Sequence, residues 1–378
     1  MTKLFKDFFE SEKSSGLFLL FCTIVSLLIS NSLWSDSYIS FWNTTIGSHS
    51  ISHWVNDGLM AIFFLLIGLE LEREIYIGEL SKIKEALLPF SAAIGGMLIP
   101  ALLFSFLNFG TQTQSGFGIP MATDIAFALG ILSLLGNKVP TSLKIFLTAL
   151  AVIDDLGAIL IIALFYTQSL IWTNLIISLS IFGILLILNR LKVHNLLPYL
   201  IGGVFMWYFM LNSGIHATIT GVLLAFAIPF GSGDEKSPSY ILQHILHNPV
   251  AFIILPIFAL ANTAIIISSG WQNAMTETYT LGILFGLLLG KPIGIFVFSY
   301  LAVKMKLCSL PSDINWKTII GVGFLAGIGF TMSIFITLLA YNDASVINNT
   351  KIMIIITSSL AGIIGFIILN YFLKKETH

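Results

Sequence analysis

The sequence predicts an all-α polytopic membrane protein of about twelve transmembrane helices, and three observations carry that prediction. Of 378 residues, 56% are hydrophobic and only 10% charged, with a mean hydropathy of +0.94. A soluble domain averages about 25% charged residues, so lipid must cover most of this surface. That excludes a soluble enzyme, a nucleic-acid binder and a disordered chain. Apolar runs of about 20 residues, the length of a spanning helix, recur along the whole chain. Basic residues gather at alternate ends of those runs, as the positive-inside rule requires. The net charge of −1 implies no bulk electrostatic partner.

The opening MTKLFKDFFESEKSS has mixed charge, and no small-residue cleavage site follows it. It reads as a retained cytoplasmic N-terminus. Spans then follow at about 14–33, 54–77, 86–108, 117–136, 141–168, 170–189, 196–212, 215–230, 249–268, 280–302, 319–341 and 350–373. Lys3, Lys6, Lys13, Arg73, Lys82, Lys84, Lys138, Lys144, Arg190, Lys192, Lys236, Lys304, Lys306, Lys317, Lys374 and Lys375 all fall at one set of ends. Lys351 falls at the other set, and Lys291 lies inside a span. A miscounted span would scramble this split, so both termini are expected in the cytoplasm. Short connections make residues 1–378 a single transmembrane domain without a linker. Cys22 and Cys308 are too far apart for a disulfide framework or a zinc spacing. The longest outer polar stretch, SFWNTTIGSHSISHW at 40–54, suits either a short hairpin or an irregular loop.

Four ionisable residues fall near the middle of spans: Asp124, Asp154, Asp155 and Lys291. Each costs at least ~2.5–3.5 kcal/mol at a helix centre, and such groups are functional by default. One acid can pair with Lys291. Two carboxylates then remain to be protonated, cation-bound or solvated. Asp154 and Asp155 are adjacent and point ~100° apart on a helix, so they cannot share one proton as a dyad would. Ala151 and Ala158 flank them and let another helix approach.

Asp124 lies in GFGIPMATDIAFALG, directly after Gly116, Gly118 and Pro120. Proline removes a backbone donor and breaks the helix, leaving carbonyls unpaired. Those carbonyls, the Thr123 hydroxyl and the Asp124 carboxylate make a hard-oxygen set suited to Na+ or Li+. The span at 319–341 carries Gly321, Gly323, Gly327 and Gly329, then Thr331 and Ser333, and is the second candidate for interruption. Two interrupted spans in corresponding positions mark a transporter binding site. They correspond here if spans 3–5 and 10–12 are repeats of opposite topology. Around Lys291, Gly282, Gly286, Gly290 and Gly294 recur at every fourth residue and clear one helix face for close packing.

The remaining polar groups lie at span ends. Asp57 begins the second span, and Glu70, Glu72, Arg73 and Glu74 close it, where exposed charge is ordinary and three acids would also concentrate cations. His216, His244 and His247 titrate in the physiological range and are either pH sensors or satisfied interfacial histidines. The pair His244 and His247 lacks further ligands nearby, so it makes no metal site. The GSGD at 231–234 resembles an intramembrane protease motif, but Glu235, Lys236 and Pro238 make it a hydrophilic loop.

MATDIAFALG, AVIDDLGAI, SGIHATITG, GKPIGI and FLLIGLELERE, taken together and in order, resemble the NhaA-type Na+/H+ antiporter family. The likeness runs from about residue 10 to 370. It implies an NhaA-like fold, with inverted repeats and spans 4 and 11 broken and crossing at mid-membrane. It implies a core bundle at about 86–168 and 280–373 and an interface bundle at about 14–77 and 170–268. It also implies electrogenic exchange of Na+ or Li+ for a larger number of protons across the bacterial inner membrane, activated at alkaline pH. The protein is then no enzyme and needs no cofactor beyond its cargo of Na+, Li+ and H+. Its expected partners are the lipid bilayer and a second copy joined through the 40–54 loop, with no nucleic acid and no protein substrate.

Residue by residue, the resemblance makes Asp155 the central cation ligand, with Asp154 and Thr123 beside it. Asp154 is assigned either to the ion or to a salt bridge with Lys291. Asp124 would face half-helix N-termini and Lys291 the C-termini. Asp57 matches an acid near the outer funnel, and Glu70 and Glu74 match acids at the cytoplasmic entry. His216 matches a histidine tied to pH response, and His244 stands in the same entry region. Two departures bear on the pH profile. Gln243 stands where the family often has Glu, and Glu72 where it often has a base. Two other classes stay open at this point: a Na+-coupled organic-solute symporter on a related broken-helix fold, and an intramembrane aspartyl protease.

Overall fold

The computed structural model describes residues 3–167, 170–267 and 271–374, without the side chains of residues 3–13, 79, 83, 137 and 374. Lys375 lies outside the described residues, as do the side chains of Lys3, Lys6, Lys13 and Lys374, which the orientation argument also uses. Every expected span contains helix among the described residues. By length and apolarity, eight helices can cross a membrane among the described residues, or ten if each of two bent pairs is one span. The expected seventh and eighth spans are shorter helices, Leu197–Leu211 and Ile219–Ala227. At 1.5 Å per residue neither covers a bilayer core of about 30 Å by itself.

The chain separates into two compact units. One comprises Met1–Ser35, Lys82–Ala158 and Asn262–His378, and the other Asp36–Ser81 and Ile159–Ala261. The first span belongs to the first unit and 54–77 to the second. Gly16 explains its place: a Cβ there would meet the Ala126 carbonyl at 2.8 Å, so only glycine lets this helix lie on the backbone of Ile125–Ser133. The division after Ala158 falls inside the helix Thr141–Phe165.

In the first unit, the helix Ile83–Leu107 packs along the Gly282–Gly294 face that the sequence left clear. Gly294 and Gly95 oppose each other so closely that a Cβ on either would overlap the other's carbonyl. Gly290 lies against Pro100 and Gly286 against Pro120. This contact seats Lys291 beside the first broken span. Outward-facing Phe106, Ile363 and Ile367 leave an apolar surface suited to lipid.

In the second unit, Leu65, Leu69, Leu185, Tyr199, Met206 and Leu224 form the core. The 40–54 loop resolves as a hairpin, with Thr45–Ile46 antiparallel to His49–Ser50 and Gly47 at φ 69° in the turn. The indole Nε1–H of Trp54 donates to the Ile46 carbonyl at 3.0 Å and ties the hairpin to the following helix.

Candidate ion site at the crossing of two broken spans

Both interruptions form where glycine and proline place them. The fourth span begins as a 3-10 helix, Gln114–Met121, runs extended through Ala122, and resumes as Ile125–Ser133. The eleventh splits into Trp316–Ala326 and Phe330–Ala340, bent by 48° about Gly327–Gly329. The breaks free backbone groups in a low-dielectric setting where each needs a partner, and the two breaks supply each other. Asp124 N–H donates to the Ile328 carbonyl at 2.6 Å, the Thr123 hydroxyl contacts the Ala326 carbonyl at 2.9 Å, and the Ser333 hydroxyl donates to the Ile119 carbonyl at 2.7 Å.

Asp124 holds two helix starts at once. Its Oδ1 accepts from Phe127 N–H at 3.1 Å, and its Oδ2 from the Thr331 N–H at 3.0 Å and hydroxyl at 2.5 Å. Phe127 and Thr331 belong to the first turns of Ile125–Ser133 and Phe330–Ala340. One carboxylate therefore offsets the positive ends of two half-helix dipoles. At the opposite polarity, Lys291 Nζ donates to the Met121 carbonyl at the close of the 3-10 segment.

The acids of Thr141–Phe165 meet this crossing from the side. Asp154 Oδ2 lies 2.7 Å from Lys291 Nζ and 2.7 Å from the Thr123 hydroxyl. Asp155 acts on Lys291 through its charge. Asp124, Asp154, Asp155 and Lys291 are all buried, none more than 2% exposed, and Thr123 is fully buried. The other Asp154 oxygen, Oδ1, has no hydrogen-bond partner among the described residues. A buried carboxylate oxygen left this way is costly unless something else binds it.

Thr123 couples its hydrogen bonding to the proton on Asp154. Its hydroxyl has one hydrogen and sits between two acceptors, Asp154 Oδ2 and the Ala326 carbonyl. It donates to an ionised Asp154. A protonated Asp154 can donate to Thr123 instead and turn the hydroxyl to Ala326. The proton count at Asp154 thus sets the hydrogen bond that ties the acid-bearing helix to the crossing. Among the described residues no three His, Cys, Asp or Glu side chains gather as a metal cage. Asp154, Asp155 and the Thr123 hydroxyl are hard-oxygen groups that could hold an alkali ion.

The other expected site residues lie in the second unit. Asp57 is half-buried beside His53 at 3.2 Å, and the His216 Nε2–H donates to the Tyr166 carbonyl at 2.9 Å. Glu70 is half-buried and hydrogen-bonded to Gln243, with Glu74 and Arg73 in electrostatic range. Gln243, the departure noted in the sequence, is thus the neutral partner of Glu70. His244 is exposed and its ring stacks over Tyr240, whose other contact is the Arg73 guanidinium at 5.6 Å. Glu72, expected with the exposed charges at the span end, is buried, and its Oε2 has no hydrogen-bond partner among the described residues. Asp234 of the GSGD segment is water-exposed. Hydrogen bonds from Ser232 and from the Lys236 N–H hold its carboxyl below the usual carboxylate range, as suits a loop acid.

Sequence reasoning missed the partnership between Asp124 and Thr331. Thr331 was visible only as a polar residue after a glycine run, and the contact spans 207 positions. It also missed Lys351, a buried lysine whose Nζ lies 3.4 Å from Asn262 Oδ1.

Two broken spans crossing through their own backbone, with buried acids and a lysine at the crossing, define a polytopic membrane transporter of the broken-helix class. The chain belongs to the Na+/H+ antiporter 1 family, whose model matches residues 6–369. It is 69% identical over 375 residues to a Flavobacterium psychrophilum protein named Na(+)/H(+) antiporter NhaA, covering 99% of this chain and 98% of that one. A Dechloromonas aromatica protein of the same name is 58% identical over 380 residues, covering 100% of this chain and 98% of the relative. A solved sodium proton antiporter from Methanocaldococcus jannaschii shares the fold, with a TM-score of 0.53 at 18% identity over 95% of this chain and 90% of that chain.

Proposed function

We propose that this chain is an electrogenic antiporter that exports Na+ or Li+ in exchange for protons and is activated at alkaline pH. The observation that carries the reading is the buried Asp154–Lys291 pair at the crossing, one of whose carboxylate oxygens is left without a hydrogen bond. A salt bridge in this setting is a device for competition. An alkali cation that binds Asp154 and Asp155 takes the place of the Lys291 ammonium, and the displaced lysine is free to release its proton. Asp155 and the Asp154–Lys291 pair titrate together, so the protons belong to the set. At alkaline pH the set loses protons and accepts the cation. Rocking of the bundle turns the site outward, where protons displace the ion. Exchange of more than one proton per cation moves net charge, which makes transport electrogenic.

The same reading places the chain in a bacterial inner membrane with both termini cytoplasmic, as the basic residues require. It works without a cofactor and catalyses no covalent reaction. The hairpin at Thr45–Ser50 projects exposed Thr45, Ile46 and Ser48, which suit a junction with a second copy. Glu70 and Glu74 would gather cations at the cytoplasmic face and Asp57 at the outer face, with His216 and His244 tuning the response to pH.

Proton flux in proteoliposomes on addition of Na+, Li+ or K+ across pH 6–9 tests the reading. Flux with Na+ and Li+ that rises with pH supports it. Flux that appears only with an organic anion would favour the Na+-coupled symporter. The adjacent placement of Asp154 and Asp155 on one helix argues against a protease, and no peptide cleavage is expected. Lys291→Ala should move half-activation to higher pH. Without the ammonium, a proton competes better for Asp154, because a nearby positive charge favours the ionised acid. Lys291→Arg should move it less, and a pH titration of flux measures both.

A further inference from the structure

One cluster of ionisable side chains lies apart from the crossing, where the hairpin meets the helix that follows it. It sits wholly within the unit Asp36–Ser81 and Ile159–Ala261. His53 Nδ1 is 3.2 Å from Asp57 Oδ2, one helical turn further on. The His49 ring stacks on that of His53 with centroids 4.0 Å apart and meets the Trp54 ring edge-on at 5.7 Å. The titratable groups that act on Asp57 are His53, His216 and His49. The His216 ring is already occupied by the Tyr166 carbonyl, so the arrangement turns on His49, His53 and Asp57.

The placement of hydrogens follows from the acceptors. With Asp57 ionised, His53 Nδ1 carries the proton between them, and Nε2 is left as a bare acceptor. That nitrogen is buried and has no hydrogen-bond partner among the described residues. It is therefore an open proton position in a ring already locked to a carboxylate. We propose that His49, His53 and Asp57 form a proton-binding site that releases the hairpin at acid pH.

Protonation of His53 strengthens its pairing with Asp57, since charge-assisted hydrogen bonds are the stronger kind. The new N–H has no acceptor in place, and a second proton on His49 sets two positive rings one above the other at 4.0 Å. One ring must leave. His53 lies in a helical turn and is held by Asp57, whereas His49 belongs to a strand of two residues paired only to another of two. His49 is the ring that moves, and the strand moves with it. The hairpin is then held at its base by the Trp54 indole on Ile46 and the Ile51 N–H on the Thr44 carbonyl, each at 3.0 Å, and by the His53 N–H on the Ser50 hydroxyl at 3.2 Å. In the proposed dimer this makes the junction between copies sensitive to acid, but the site itself needs only one chain.

A nitroxide attached at Ser48→Cys, on the exposed hairpin tip, reports the step by its mobility. The measurement uses the full chain in liposomes, with Cys22 and Cys308 replaced by serine. Mobility should increase severalfold between pH 8 and pH 5. His49→Phe keeps a stacking ring that cannot charge, and its hairpin should stay immobile at both pH values. His53→Gln should also remove the transition while retaining a hydrogen bond to Asp57. An unchanged acid transition in His49→Phe, or none in the parent, would overturn the proposal. The readout does not involve transport. Failure of the antiport reading would show instead as absent Na+-driven proton flux with the mobility step intact.

Discussion

Asp155→Asn is expected to abolish Na+-dependent proton movement in everted vesicles while the protein stays folded. Asparagine keeps the shape of the side chain and removes its charge, so the site loses a cation ligand and a proton carrier in one change. Truncating one partner of a buried charge pair costs about 2–5 kcal/mol of binding, or at least ~30-fold in affinity. Stability should hold, because replacing a buried charge by a neutral group of equal size removes a desolvation cost. Asp155 lies inside the helix Thr141–Phe165, whose backbone bonds do not depend on its side chain. The unfolding temperature in detergent should therefore match the parent's while flux vanishes. Retained exchange would remove Asp155 from the mechanism.

Asp124→Ala should produce the opposite division, with a large loss of stability. The change strips the acceptor from Phe127 N–H, Thr331 N–H and the Thr331 hydroxyl, all at the crossing. Each buried donor left unmade costs roughly 1–3 kcal/mol. The two half-helix starts also lose the charge that offsets their dipoles, worth up to ~2 kcal/mol where partly buried. A combined loss of about 3–6 kcal/mol, allowing for relaxation, is a large share of a marginal total. Thermal unfolding measures it. Asp124→Asn should lose less, because its carbonyl oxygen can still serve one helix start. An Asp124→Ala protein as stable as the parent would show that the crossing is held by other contacts.

What was legible in the sequence was set by range. Pro120 and the glycines before it break a helix by local rules, so an interruption leading into Asp124 could be placed from sequence alone. The face of Gly282–Gly294 could be read as a packing surface for the same reason. What packs there could not be read, because Gly95 and Pro100 are ordinary residues of an apolar span until Gly294 and Gly290 are set against them. The same limit hid Thr331 from Asp124. A residue 207 positions away becomes a partner only when two breaks cross. Helix geometry said that Asp154 and Asp155 point apart but not which one meets Lys291, since that depends on how Thr141–Phe165 is rotated in the bundle. What the first span packs on was hidden for a related reason. A lone Gly16 at a span start carries no sign that it lies on Ala126. The buried Glu72 reads as an ordinary span-end charge, because position along a helix does not reveal which face is covered.

The central claim is that cation and protons compete for one set of groups, Asp154, Asp155 and Lys291. The direct measurement is the number of protons released into weakly buffered detergent solution per Na+ bound, taken across pH on the purified protein. Competition predicts release of at least one proton per cation, with an apparent Na+ affinity that weakens as pH falls. Na+ binding that releases no protons, with an affinity constant across pH, would contradict it.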